Sequence, residues 1–264
     1  MRGRLCALFS EFVEYGGFPE IVLAKETLRR KLLTDYFSDI LEKDVGERHG
    51  IRKKQKLYGL ASYYMSNPCA KVSFNRLSAS LSIPPATVER YSRYIEEAYL
   101  IFFLKRFSFK VKEQENSARK VYAADTGLSN AMGFKSGENK GKVFENAAYL
   151  EILKANANRP GFEIFYWQDY REREVDFVVR QEGKVTALIQ ACIQLSGENS
   201  KREFTPLALA SKELACKNLI VLTEDREGET EFRGSKIRIT PLWKWLIING
   251  KESGGGALPK SSRR

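Results

Sequence analysis

The sequence contains a single histidine, His49, and its four cysteines lie far apart without forming a CxxC pair. Zinc sites in proteins are built largely from closely spaced cysteines and histidines, so a zinc site is not expected. Unpaired cysteines are typical of a reduced, cytoplasmic protein. No serine–histidine or cysteine–histidine arrangement is recognisable, which argues against a nucleophilic hydrolase.

Long apolar runs are also missing. None approaches the roughly 20 residues needed to cross a bilayer, so no membrane association is expected. The opening segment MRGRLCALFSEFVEY is too short and too soon interrupted by acids for a secretory signal. A P-loop is absent as well, since GENKGKV at 137–143 has one residue too few between its glycines and valine where Ser or Thr belongs. We therefore expect no nucleotide cofactor.

What the chain does contain is a core and an excess of positive charge. Its 264 residues are 43% hydrophobic, and 44 Lys and Arg against 33 Asp and Glu give a net charge of +11. Such a balance favours association with polyanions, nucleic acid first. Two basic runs, Arg29–Lys31 and Arg52–Lys54, admit DNA contact or, more simply, solvated helix faces.

The periodicity of the first half predicts helices followed by a winged helix-turn-helix. Residues 1–66 read as a helical segment with a GGFP breaker, and Leu33, Phe37, Ile40 and Leu41 form one apolar stripe. Over residues 67–128 two short helices, SFNRLSASLS and TVERYSRYIEEAYLI, precede the alternating strand IFFLKRFSFKV, a polar tip EQENSA and a returning strand RKVYAAD.

The second half predicts an α/β domain over residues 143–248. A linker rich in Gly, Ser and Asn is expected over 129–142, and a disordered tail over 249–264. Between them, helices alternate with the strands FEIFYW, EREVDFVV, NLIVLT and KIRIT. The predicted fold class is therefore mixed, α/β with α+β organisation.

The winged-helix segment carries the stronger nucleic-acid signal, with ten basic against six acidic residues. On its second helix Thr87, Arg90 and Arg93 are three apart and share one face, as in helices that read a DNA groove. Lys110 and Lys112 on the predicted wing would contact phosphates. Acidic residues on the same helix leave open that the segment binds protein instead. These are Glu89, Glu96 and Glu97.

A second candidate site lies on the hairpin EREVDFVVRQEGKVTALIQACIQLS. Because side chains alternate along a strand, Glu174 and Asp176 share a face, as do Gln190 and Cys192 on the next strand. A turn centred on Gly183 would place Asp176 opposite Gln190. An ordinary surface-exposed hairpin without a catalytic role shows the same alternation, so this second interpretation stays open.

A helix glutamate, Glu145 in GKVFENAAYLEIL, precedes this hairpin. A helix glutamate, a strand aspartate and a following acid-x-lysine strand are the parts of a Mg²⁺ site for phosphodiester hydrolysis. Here Gln190 and Cys192 stand where that pattern has an acid and a lysine. A thiol is mostly neutral at pH 7 and cannot replace an ammonium group near phosphate.

Several motifs in order carry a family resemblance: GGFPE, TDYFSDILEKDV, KVYAADTGL, GKVFENAAYLEIL, EVDFVV, ALIQACIQLS and PLWKWL. From about Phe12 to Ile247 the chain resembles the C-terminal region of a prokaryotic, notably archaeal, family of ATP-binding proteins. In that family a AAA-type ATPase domain is followed by a domain of unknown function, DUF4143. The resemblance implies a winged helix joined to a fold like that of the PD-(D/E)xK nucleases.

By the same resemblance Glu145, Asp176 and Gln190 correspond to the acidic metal-binding positions and Cys192 to the lysine position. Together with the residue pattern, this predicts a protein associated with duplex DNA, whose nuclease-like domain is inactive or weakened and holds Mg²⁺ weakly. A AAA-type ATPase is the implied partner. The alternative is an interaction scaffold, or partner module of such an ATPase, with no DNA role.

Overall fold

The computed structural model of the protein describes residues 2–133 and 139–252. The chain forms two compact units. The first comprises Met1–Lys105 and Lys112–Ala147, and the second comprises Arg106–Val111 and Ala148–Arg264. The expected mixed α and β class is confirmed, because the first unit is mainly helical and the second is built on a six-stranded sheet.

The first unit packs its helices around a small antiparallel sheet. Its helices are α1 Arg2–Tyr15, α2 Pro19–Leu23, α3 Glu26–Asp39, a π-helix Ile40–Glu47 that continues α3, α4 Lys54–Ser66, α5 Phe74–Leu81, α6 Pro85–Glu97, α7 Val111–Asn116 and α8 Thr126–Met132. Helix α9, Asn139–Asn156, starts in this unit and ends in the second. The strands β1 Lys71–Val72, β2 Ile101–Leu104 and β3 Arg119–Ala123 pair in the order β1-β3-β2.

The apolar stripe of α3 continues into the π-helix. Leu33, Phe37, Leu41 and Val45 are each at most 2% exposed, at four-residue intervals. A strict four-residue spacing drifts around an α-helix of 3.6 residues per turn. The wider π turn reduces that drift and keeps the stripe on the core.

Asp125 joins two segments that are far apart in sequence. Its Oδ2 accepts the N–H of Gly17 at 2.8 Å, and its Oδ1 accepts the N–H of Leu128 at 3.1 Å, which caps the start of α8. Burial raises the pKa of the Asp125 carboxyl, although the backbone N–H bonds favour its charged form. Asp125 therefore connects the GGFPE motif to the AADTGL motif by hydrogen bonds.

Two residues of α8 bind the carbonyls at the end of α1. The side chain of Asn130 donates to the carbonyls of Val13 and Glu14, each at 2.9 Å, and the Thr126 hydroxyl donates to the Phe12 carbonyl at 3.1 Å. The last carbonyls of a helix have no partner within the helix, so the two Asn130 bonds satisfy carbonyls that would otherwise need water.

The second unit is a mixed sheet flanked by helices. Its elements are β4 Phe162–Gln168, β5 Glu174–Gln181, β6 Lys184–Ala191, α10 Gly197–Glu213, β7 Leu219–Thr223, β8 Gly228–Phe232, β9 Ser235–Pro241 and α11 Leu242–Glu252. The strand order is β4-β5-β6-β7-β9-β8. Strands β4 to β6 are antiparallel, β6, β7 and β9 are parallel, and β8 pairs antiparallel with β9.

The predicted long wing strand is wrong after Leu104. Arg106 instead bridges to Tyr166, and the Phe107 N–H donates to the Tyr166 carbonyl at 2.6 Å, both within the second unit. Phe107 is buried there against Phe165. The alternating aromatic pattern predicts one continuous strand, but Phe107, in its second half, is a core residue of the second unit. Between β2 and β3 the chain forms the short helix α7.

Two predicted boundaries also differ from the structure. The segment 129–142, expected as a linker, carries the end of α8 and the start of α9, and its residues 134–138 lie outside the described residues. The compact units divide after Ala147, inside α9. Of the tail expected over 249–264, the first residues extend α11, and 253–264 lie outside the described residues.

No helix within residues 2–133 and 139–252 is long and apolar enough to cross a membrane.

Candidate functional site

A buried polar network lies where β5 begins and β6 ends. The two-residue turn of Glu182 and Gly183, both with positive φ, sets the hairpin register, in which Phe177 pairs with Ile189. One residue further along, Asp176 and Gln190 meet. The Asp176 N–H donates to Gln190 Oε1 at 3.4 Å.

The carboxylate of Asp176 also bonds back to β6, because its Oδ2 accepts the N–H of Ala191 at 2.9 Å. On the other side of the network, Gln190 Nε2 donates to Glu203 Oε2 at 3.2 Å. Asp176, Gln190 and Glu203 are 6%, 8% and 7% exposed. The Gln190 amide thus links the Glu203 carboxylate to the backbone N–H of Asp176, while the Asp176 carboxylate is bonded to the backbone of β6.

Helix α10 supplies both an acid and a cation to this network. It begins after a capping box in which Ser196 and Asn199 satisfy each other's backbone N–H groups. Within its second turn, Arg202 Nε donates to Glu203 Oε1 at 3.0 Å, while the Arg202 side chain is 80% exposed. The network therefore ends in a guanidinium group that is open to solvent.

Cys192 follows directly on β6 and is 9% exposed. Burial, and then the nearby charge of Glu203, raise the pKa of its thiol to about 11, with Arg202 opposing and Asp176 adding to the shift. Its Sγ donates to the Gln194 carbonyl at 3.3 Å. The Cys192 side chain is therefore neutral at physiological pH.

Alkylation of the native protein should show this raised pKa. At pH 8 a thiol of pKa about 11 has about two orders of magnitude less thiolate than an ordinary cysteine of pKa about 8.5. We expect iodoacetamide to label the half-buried Cys6 first and to leave Cys192 intact, as followed by mass spectrometry of peptides. Labelling of Cys192 should rise as the pH is raised towards 11. Equal labelling rates at pH 8 would contradict the environment described for Cys192.

Glu145 is held within the first unit by partners of its own. Its Oε1 accepts the ammonium group of Lys120 at 2.6 Å and the hydroxyl of Tyr122 at 2.7 Å. Lys120 is only 3% exposed, so the ion pair neutralises a buried cation. Next to Glu145, Asn146 exchanges two hydrogen bonds with the backbone of Ala123, at 2.8 and 2.9 Å, which fixes α9 against β3.

The sequence prediction placed Glu145 together with Asp176, Gln190 and Cys192. Glu145 belongs to the first unit and the other three belong to the second, so their convergence stays a prediction. Within the second unit Asp176 is bonded to Gln190, and Gln190 in turn to Glu203, which was not among the predicted site residues. Its signal was available, since Glu203, Leu207 and Ala210 occupy one helical stripe and Glu203 is an acid at an apolar position.

The donors fit Mg²⁺ in kind but offer it few open positions. Carboxylate and amide oxygens are the ligands this ion prefers. Both oxygens of Glu203 already accept hydrogen bonds, and Gln190 Oε1 accepts a backbone N–H. Within residues 2–133 and 139–252, no three His, Cys, Asp or Glu side chains are grouped to hold a metal ion.

The second candidate surface is the outer face of α6. Arg90 and Arg93 are exposed and Thr87 is half-buried. The opposite face packs into the core of the first unit. Its buried residues are Val88, Tyr91, Ser92 and Ile95. Pro85 at the first helical position starts the helix without losing a backbone bond.

The acids on α6 reduce the positive charge of this surface less than the sequence alone suggests. Glu96 accepts the Phe103 N–H at 3.0 Å, and burial raises the pKa of its carboxyl. Glu97 lies 3.7 Å from Arg93 Nε, an exposed pair of small energetic weight. Glu89 is exposed. One of the three acids therefore faces the protein rather than the solvent.

Several basic residues of this segment are bound to the protein itself. These are Lys105 and Arg119 on Glu115, Lys120 on Glu145, and Arg106 on the Gln168 carbonyl. Lys110 and Lys112 are exposed, but Lys110 precedes α7 and Lys112 lies within it. The strand that was predicted to align these two lysines as a wing is absent.

Comparison with known proteins identifies two family matches. The sequence profile of a family described as "Domain of unknown function (DUF8612)" matches residues 6–139. That of a second, "Domain of unknown function (DUF4143)", matches residues 140–245. The predicted resemblance to DUF4143 is thus confirmed for the C-terminal part of the chain, while the N-terminal part matches the other family.

Two curated relatives are similar over most of the chain. An uncharacterized protein of Methanocaldococcus jannaschii is 31% identical over 93% of this chain and 57% of its own length. An uncharacterized protein of Haemophilus influenzae is 26% identical over 91% of this chain and 58% of its own length. The chain therefore spans less than two thirds of either relative. No solved structure matches it significantly.

Proposed function

This chain belongs to the family described as "Domain of unknown function (DUF8612)", and we propose that it binds duplex DNA through α6. The proposal is carried by the exposed arginine face of that helix. Arg90 and Arg93 project from it one turn apart, opposite a fully packed inner face. A helix presented in this way can enter a major groove while its arginines contact phosphates or base edges.

The elements around α6 support a winged-helix interpretation. Helix α5, a short turn and α6 are followed by β2 and β3, which pair with β1 in a three-stranded sheet. This is the order of a winged helix-turn-helix, with α7 inserted where the wing tip was expected. In this proposal α6 is the recognition helix and neighbouring basic residues position it on the duplex.

We further propose that the second unit is a nuclease-like domain that is inactive or weakened. Asp176 and Glu203 are two buried acids at one end of the sheet and both are hydrogen-bonded to Gln190, whereas Cys192 is uncharged. Asp176, Gln190 and Glu203 would hold Mg²⁺ weakly; when bound, the ion would polarise a phosphodiester and activate water. Arg202 lies at the edge of this cluster and contributes positive charge, but Glu203 is its nearest counter-ion.

The implied ATPase partner and the cytoplasmic location remain proposals. The partner rests on the motif resemblance and the location on the unpaired cysteines.

Binding of duplex DNA across a salt series tests the main proposal. Arg90→Ala/Arg93→Ala should weaken binding about 30-fold, because losing each contact costs roughly 1 kcal/mol. Arg90→Lys/Arg93→Lys is the matched control, since it keeps the charge and should retain most of the affinity. The measurement is an electrophoretic mobility shift. Wild type that fails to bind at low salt, where phosphate contacts are strongest, would reject the proposal.

The alternative is an interaction scaffold without a DNA role, as the residual acids on α6 suggest. In that case Arg90→Ala/Arg93→Ala leaves any DNA affinity unchanged, and a protein partner is still retained by the variant in a pull-down. A clear loss of DNA binding in the alanine variant argues against it.

A further inference from the structure

The two basic runs of the first unit, residues 29–31 and 52–54, differ in their contacts with the rest of the unit. In the first run, Arg29 is structural: it pairs with Glu11 and donates to the carbonyls of Ala24 and Val22. Its guanidinium also lies 4.9 Å from the centre of the Tyr15 ring. This run ties α1, α2 and α3 together, and only its other two residues, 30 and 31, face solvent.

In the second run, Arg52, Lys53 and Lys54, all three side chains are exposed. The run ends the connection between the π-helix and α4, with Lys54 as the first residue of α4, and it contains no acid. The first turn of α4 is also free of acids. This basic turn, residues 52–54, is therefore a compact patch of positive charge.

The fold places the basic turn beside the helix-turn-helix. Before it, His49 stacks on Tyr94 of α6, with ring centres 3.6 Å apart and ring planes 5° from parallel. After it, Lys56 Nζ donates at 2.8 Å to the carbonyl of Leu81, at the end of α5. Both flanks of the turn are thus fixed to the helix-turn-helix, whose second helix, α6, the proposed function places on DNA.

We propose that the basic turn 52–54 is a second phosphate-binding contact on the same duplex that α6 engages. This inference rests on the proposed function. Proteins that insert a helix into a groove hold it there with cations on the flanking phosphates. The turn has the charge for this contact, its side chains are exposed, and its position beside α6 is set by the stacked His49.

Helix stability gives no reason for these lysines. Cations near a helix N-terminus face the positive end of the helix dipole, which disfavours them. Lys53→Ser/Lys54→Ser should therefore leave the melting temperature unchanged or raise it. A loss of binding in this variant is then separable from a loss of folding.

The experiment measures the salt dependence of DNA binding for four proteins. They are wild type, Lys53→Ser/Lys54→Ser, the charge-matched control Arg30→Ser/Lys31→Ser, and Arg90→Ala/Arg93→Ala. Each lost phosphate contact lowers the slope of log K against log salt by about 0.9, so the Lys53/Lys54 variant should lose roughly 2 and the control much less.

The outcomes separate the two proposals. If wild type binds, the α6 variant is weakened and the Lys53/Lys54 variant matches the control, the second contact is rejected and the proposed function stands. If wild type does not bind at low salt, both are rejected. A slope that is reduced in the Lys53/Lys54 variant but not in the Arg30/Lys31 control, with the melting temperature retained, supports the second contact.

Discussion

Gly127→Ala is expected to destabilise the first unit by about 3 kcal/mol or more, at the upper end of overpacking effects. A Cβ at this position would lie 2.1 Å from the carbonyl oxygen of Tyr15 and 2.9 Å from Asp125 Oδ1. The first contact is backbone and cannot move aside cheaply. Relief of the clash would separate α8 from the end of α1, where Asp125 and its neighbours bind.

The matched control is Gly59→Ala. Gly59 lies inside α4, is exposed, and would meet no heavy atom within 4 Å with a Cβ in place. Alanine is favoured over glycine in a helix by roughly 0.5–1 kcal/mol, so this variant should be slightly more stable than wild type. Urea unfolding followed by circular dichroism measures both. Similar stabilities for the two variants would contradict the close approach at Gly127.

Cys192→Lys is expected to raise metal-dependent DNA cleavage by about 10²–10³-fold over wild type, the size of effect seen when one stabilising donor is removed from an active site. The wild-type thiol has a pKa of about 11 and supplies no charge at pH 7. Lysine would place an ammonium group beside Glu203 and Asp176, whose charges already affect this position. The measurement is nicking of supercoiled plasmid with Mg²⁺ or Mn²⁺.

Two further variants make this result specific to the site. Cys6→Lys adds the same charge in α1 and should leave cleavage at background. Asp176→Ala, combined with Cys192→Lys, should remove the gain, because the network then lacks one of its two buried carboxylates. If wild type cleaves DNA strongly and Asp176→Ala abolishes that cleavage, the site is active and the inferred impairment is wrong.

Local sequence patterns were sufficient to predict those features of the fold that depend on residues close together along the chain. The turn at Gly183 and the alternation around it predicted the register that brings Asp176 to Gln190. The three-residue spacing of Thr87, Arg90 and Arg93 predicted one shared face of α6, and Arg90 and Arg93 are exposed on it. In both cases a short period fixes the direction of each side chain.

Contacts between distant segments could not be read in this way. Phe107 looks like a strand residue, but its burial depends on Phe165, which lies far along the chain. Glu145 looks like a free helix acid, but Lys120 and Tyr122 on β3 bind it. In the sequence Glu203 is recognisable only as an acid in an apolar stripe. Its place in the site depends on Gln190 of β6, a contact that the helix pattern does not show.

The short segment Arg106–Val111 has a consequence for how the protein can be divided and made. Because Phe107 is in the core of the second unit, no single cut in the gene separates the two units. An N-terminal fragment that ends near residue 139, where the two family matches meet, would expose Phe107. The remaining C-terminal fragment would have a cavity in its core where Phe107 packs. During synthesis this segment leaves the ribosome well before the strands that bury it. The second unit therefore completes its core with a piece of chain that was made earlier.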